Sequence, residues 1–237
     1  MEVRGQRECR NCGATWSYFE TGSVTCPECE SSRSVGRGER AANTDRPVDL
    51  SLEAARSAAA ADDIDRALEL AAETARTYRR ERGFVRAGDL LTLDDTYLLA
   101  QELAHATSIL QSSLERRQES VAYLHDLLAP AESRTRPDPA DVPESLRVAR
   151  GLGNARAVRD YRDEVTTFVG DEPLPGECRS ILESIGDHVA RIEALDGDVE
   201  PARAERLVEA ARAVGACIRE DHEAPLDVAR TALDELR

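Results

Sequence analysis

Cys9-Arg10-Asn11-Cys12 and Cys26-Pro27-Glu28-Cys29 are two C-x-x-C pairs with thirteen residues between Cys12 and Cys26. Each pair sits on a tight knuckle that aims two thiolates at one ion, and two knuckles make a tetrahedral ligand set. Cys9, Cys12, Cys26 and Cys29 are therefore the expected metal ligands. Thiolates suit Zn²⁺ or iron, and softness alone does not choose between them. Between the knuckles, Thr15-Trp16-Ser17-Tyr18-Phe19 and Ser23-Val24-Thr25 are β-prone and flank Thr21-Gly22. That pattern predicts a hairpin. A segment of about twenty residues cannot bury a core unaided, so the ion organises the ribbon and Trp16, Tyr18 and Phe19 cover it.

Outward from the ribbon, residues 31–47 are rich in Ser, Gly and Arg and read as a linker. The expected division is 1–46, zinc ribbon and linker, and 47–237, an acidic helical bundle with a candidate sub-boundary at 130–143. Asp62 or Asp63 caps a helix carrying Ile64, Ala67, Leu68, Ala71, Ala75 and Tyr78 on one stripe, ending near Gly83. Residues 84–93 look irregular. Asp94 or Asp95 then caps a long helix reaching Leu128, with Leu99, Leu103, Ala106, Leu110, Leu114, Val121, Leu124 and Leu128 at three- and four-residue steps. It would be about 50 Å long.

Four prolines, Arg134 and Arg136 make 130–143 an exposed connection. A helix over 144–169 follows, weakened by Gly151 and Gly153. Another carries Cys178, Ile181, Leu182, Ile185, Val189, Ile192 and Leu195 and stops near Gly197. A third begins at Pro201, a favoured first-turn position, and the last runs from Pro225 to Leu236. The fold class is mainly α: a small N-terminal β-hairpin zinc ribbon joined to an antiparallel helical bundle.

The chain has 31 basic residues, every one arginine, against 46 acids, for a net charge of −15. Residues 1–46 carry seven of each sign, so the whole excess lies on the helical part, which is thereby a poor nucleic-acid binder. Dense carboxylate without lysine keeps a protein hydrated in concentrated salt and points to a halophilic origin; codon bias in a GC-rich mesophile is the alternative. Residues 1–10 lack the apolar stretch of a secretory leader, and no run approaches the roughly 18 apolar residues of a membrane span. Four of six cysteines in C-x-x-C pairs indicate metal binding in a reducing compartment, so a cytoplasmic location is expected.

Residues 8–30 resemble the zinc ribbons at the N-terminus of transcription factor IIB and in RNA polymerase subunits, and also the rubredoxin-like domain of rubrerythrins. The matching features are Cys9, Cys12 with Gly13 after it, and Cys26-Pro27 with Cys29. Glu30 stands where rubredoxin-type knuckles carry a second glycine, so the resemblance implies zinc ahead of iron. As a whole, ribbon plus acidic, lysine-free helices, the chain resembles uncharacterised zinc-ribbon proteins of halophilic archaea. The paired cyclin-like repeats of a complete transcription factor IIB are not visible.

Arg4, Arg7, Arg10, Arg33, Arg37 and Arg40 flank the ribbon, but interleaved acids leave no basic stripe. In molar salt, where the Debye length is about 3 Å, a phosphate-led interaction weakens further. A protein partner met through Trp16, Tyr18 or Phe19 fits better.

Glu102-Leu103-Ala104-His105 has the Glu-x-x-His spacing of di-iron bundles, which makes a rubredoxin/rubrerythrin-like redox protein the alternative. His125, His188 and His222 have no Glu three residues before them, so Glu102 and His105 read as a helix-surface pair. Cys178 and Cys217 lie on apolar stripes and read as buried structural cysteines. No phosphate loop or catalytic motif is visible. The expected function is a non-enzymatic, zinc-binding adaptor or regulator whose ribbon docks on a larger protein or nucleoprotein machine, with transcription as the candidate process.

Overall fold

A computed structural model describes residues 2–113, 115–129 and 136–236. The chain is mainly α-helical, with a small antiparallel sheet at its start. That sheet has the order β2-β1-β3: β1 (Glu2–Cys9) lies between β2 (Thr15–Ser17) and β3 (Ser34–Ala42). Cys9 pairs with Ser34 at one end of β1 and Glu2 with Ala42 at the other, with a bulge between Arg4 and Gln6.

Two expectations change here. The segment read as a linker supplies β3, whose small residues let it lie along β1. No hairpin joins the knuckles either: after β2 the chain turns into one helical turn, α1 (Tyr18–Thr21), closed by Gly22 in the left-handed region. Local β-propensity at Ser23–Thr25 gives way to the pairing available along the longer β1 edge.

The ribbon is stitched to the helices. Thr44 and Asp45 donate their amides to the Val85 carbonyl at 2.8 and 3.0 Å, and Arg46 donates to Glu81. Gly88 donates back to Ala42 at 2.9 Å. The buried Asp45 carboxylate is held by Arg82 and Arg86. Thr44 Oγ1 and the Phe84 amide both donate to Glu164 Oε2, at 2.5 and 2.7 Å. Val85, Arg86 and Gly88 lie in a two-strand turn, β4 (Val85–Arg86) with β5 (Asp89–Leu90), where an irregular stretch was expected.

Helix α2 (Glu53–Ala60) precedes α3 (Ile64–Glu81), which Asp63 caps by accepting from the Arg66 amide. Asp94 caps α4 (Asp95–Ser112) through the Tyr97 amide at 2.8 Å. The expected long helix ends there: Ser113 and Arg117 have extended backbones, and α5 (Gln118–Leu127) starts afresh. Leu114, part of the expected stripe, lies outside the described residues. So does Arg134, with the rest of 130–135.

Beyond them, 3₁₀ turns over Pro139–Asp141 and Glu144–Leu146 lead into α6 (Arg147–Val169), followed by α7 (Cys178–Ala194), α8 (Pro201–Glu220) and α9 (Pro225–Asp234). Arg79 meeting Gln101 while Arg116 meets Asp65 makes α3 and α4 antiparallel. One leucine- and alanine-rich core runs from Leu50 to Leu236. Gly153 does not weaken α6. A Cβ there would sit 2.8 Å from Glu102 Cα, so glycine is what lets α4 and α6 approach.

Candidate metal centre

The two knuckles repeat one hydrogen-bond pattern. In the first, the Gly13 amide donates to Cys9 O at 3.1 Å and the Cys9 amide to Ala14 O at 2.8 Å. In the second, the Glu30 amide donates to Cys26 O at 3.0 Å and the Cys26 amide to Ser31 O at 3.0 Å. Gly13 has φ +80° and Glu30 φ +57°. Glu30 thus adopts the left-handed conformation that a glycine would take, at a steric cost of about 1 kcal/mol. The backbone is glycine-like without the glycine, so Glu30 does not separate zinc from iron after all.

This brings the four predicted ligands together: the Sγ atoms of Cys9, Cys12, Cys26 and Cys29 all lie within 4.8 Å of one another. Cys9 and Cys29 sulfurs are 3.7 Å apart, and Cys12 and Cys26 sulfurs 3.5 Å. A tetrahedron with 2.3 Å metal–sulfur bonds has edges of about 3.8 Å, so the donor set fits a four-thiolate ion. Two of the four sulfurs, those of Cys9 and Cys29, are also prepared to lose their protons, while the neighbouring sulfurs of Cys29 and Cys26 push Cys12 up. Amides of Cys12 and then Asn11 donating to its sulfur bring Cys9 down to about 6. The Asn11 carboxamide, with the Ser31 amide, holds Cys29 below the ordinary thiol range. The Asn11 amide reaches Cys9 Sγ at 3.3 Å and its Nδ2 reaches Cys29 Sγ at 3.6 Å.

Of the three aromatic residues expected to cover the site, only Trp16 is buried with it, packed among Cys9, Cys26, Ala14 and Cys29. Its indole donates to Ser23 O at 3.0 Å. Phe19 lies against Gly5 on β1 instead. Tyr18 is half-exposed and, with Arg4, Arg7, Arg40 and Val24, lines a groove of about 350 Å³. Arg7 is bound to Ser34, Arg37 to Glu8 and Arg4 to the Gly38 carbonyl, so much of the ribbon's arginine is engaged within its own sheet.

Glu102 is not on a helix surface. Its carboxylate is 0% exposed and meets Arg150 at 2.9 Å and Arg136 at 3.1 Å. Tyr123 OH donates to it, and Arg136 and Arg150 also reach Glu205. Asn154 completes the cluster, accepting from Arg136 at 2.7 Å and donating to Glu205 at 2.9 Å. Arg136 is therefore buried, at 6% side-chain exposure, although its stretch read as an exposed connection.

This network was missed in the sequence. Its signal is a charge inside an apolar stripe: Glu102 falls between Leu99, Leu103 and Ala106, and Arg150 and Asn154 between Leu146, Ala149 and Ala157. With two arginines occupying Glu102, a di-iron ligand role is closed to it. Among the described residues the four cysteines are the only group of three or more side chains placed to share an ion.

The remaining candidates stay apart. His105 is half-buried with Nε2 unpartnered, and burial together with Arg156 and Arg79 lowers it to about 4. His125 is exposed, and His222 Nδ1 accepts from the Ala224 amide. Cys178 and Cys217 are buried, as expected, and in contact with each other, which was not. Among the described residues no helix is long and apolar enough to cross a membrane.

No curated protein and no solved structure matches the chain. A family model does, over residues 1–233, and the chain belongs to that family of unknown function, DUF7117.

Proposed function

We propose that this is a non-enzymatic, zinc-binding adaptor whose ribbon docks on a larger protein or nucleoprotein machine, with transcription as the process and the cytoplasm of a halophile as the setting. One observation carries the reading: four sulfurs drawn within 4.8 Å of one another. A closed four-thiolate sphere leaves no position for substrate and is the arrangement of structural zinc. The resemblance of residues 8–30 to transcription factor IIB-type ribbons supports the docking role, and the absence of lysine among 31 basic residues supports the saline setting.

Trp16 is buried, so contact with a partner falls to Tyr18 and to Val24, an apolar side chain left 48% exposed at the groove. The neighbouring Arg40 suits a partner surface that pairs apolar with acidic groups. Lysine-directed crosslinking has no lysine to reach on this chain. A photo-crosslinker placed at Val24, activated in extract at native ionic strength, is the suitable probe. Recovery of one protein partner, lost on Tyr18→Ala, is the expected result. No protein adduct, together with measurable turnover by the purified chain, overturns the proposal.

A further inference from the structure

Cys178 and Cys217 play no part in the metal centre. Cys178 is the first residue of α7 and Cys217 lies in the last turn of α8, 39 residues later. Both are 0% exposed. Their sulfurs are 2.7 Å apart, against 3.5 and 3.7 Å for the closest pairs in the four-cysteine cluster. A bonded pair sits near 2.05 Å, so about 0.7 Å separates these sulfurs from a covalent link. No third ligand accompanies them among the described residues, which leaves them short of a metal site.

We propose that Cys178 and Cys217 form an intramolecular disulfide that staples the start of α7 to the end of α8, made by exchange with a small-molecule disulfide. The Cys178 thiolate attacks one sulfur of the small disulfide, forming a mixed disulfide and expelling one small thiolate. Cys217 then attacks the Cys178 sulfur, closes the Cys178–Cys217 bond and expels the second small thiolate. The two protons leave the protein thiols for the two expelled thiolates. Two protein thiols are oxidised and one small disulfide is reduced to two thiols.

The surroundings set the order of events. Residues 171–173, 176 and 177, just before Cys178, are exposed, so the segment leading into α7 is the side from which a reagent reaches the pair. Burial pushes the Cys178 thiol up to about 12, so the closed structure holds it protonated and inert. Exchange therefore waits for the α7 start to open. Once formed, the bond is shielded from reducing thiols by the same burial. A cross-link closing a 39-residue loop stabilises chiefly by restricting the unfolded chain.

The test uses the full zinc-loaded chain, whose bound metal protects the ribbon sulfurs. It is equilibrated with oxidised glutathione in mild denaturant, returned to native buffer, alkylated after denaturation with chelator, and mapped without reduction. The expected result is one linked peptide pair containing Cys178 and Cys217, with a melting temperature roughly 10 °C above that of the reduced chain. In Cys178→Ala/Cys217→Ala the melting temperature should no longer respond to the redox treatment. Alkylation of both cysteines, a glutathione adduct that never resolves onto Cys217, a link to a ribbon cysteine, or equal melting of oxidised and reduced chains overturns the proposal.

Discussion

The ribbon and the helical bundle are held together by opposite means. The ribbon's buried cluster is Cys9, Trp16 and Cys26, with Ala14 and Cys29 against it. That is too little apolar surface to offset the entropy of ordering some forty residues. The bundle buries a leucine- and alanine-rich core spanning Leu50 to Leu236 and also encloses charge, at Glu102, Arg136 and Arg150. On the proposed reading, one region depends on an ion bound from outside; the other carries its charges within. Each should then fail under a different stress.

Removing metal is the strongest way to separate them. Structural zinc contributes about 10–16 kcal/mol to folding of small metal domains. A strong chelator should therefore abolish amide-exchange protection across residues 2–42 while the bundle's melting transition persists. Loss of both together would mean that the splice at Thr44 and Asp45 carries the ribbon's order into the helices.

The converse stress is Glu102→Leu. It leaves the buried Arg150 and Arg136 guanidiniums with Glu205 as their one remaining carboxylate, at an expected cost of about 3 kcal/mol in denaturant unfolding. Metal content should stay unchanged. Leucine accepted at little cost would show that the network contributes no more than an apolar core would.

Gly153→Ala tests the α4–α6 approach. Its new Cβ would lie 2.8 Å from Glu102 Cα, and backbone cannot yield cheaply. A loss of roughly 1–3 kcal/mol is expected, and a neutral variant would disprove the close approach.

An effect of similar size concerns acid. His105 stays neutral in the fold, held down to about 4 against an ordinary 6.5. The unfolded chain therefore takes up a proton first as pH falls below 6.5. This stability is complete above pH 6.5 and is lost progressively down to pH 4. Across that window the native chain should lose roughly 2 kcal/mol more than His105→Gln in parallel denaturant melts. Parallel curves would refute the burial of His105.

What was readable in the sequence follows the same division. The four ligands were plain, because knuckle spacing is local. The caps at Asp63 and Asp94, the start of α8 at Pro201 and the apolar stripes were plain for the same reason. Pairing was not. Ser34–Ala42 looks like a linker until β1 is beside it, and nothing near Ser113 announces that the long helix stops. Arg136 and Glu102 each look like surface charges, since the partner that permits burial is 34 residues away. Glu30 misled differently: residue type argued against a rubredoxin-type knuckle, and so for zinc ahead of iron, while the backbone takes the left-handed conformation that a glycine would.

The most direct measurement is elemental analysis of the purified full chain alongside its visible spectrum. One zinc per chain, no visible absorption and an ordered N-terminal segment is the predicted result. A metal-free chain whose residues 2–42 are nonetheless folded would contradict the account at its root.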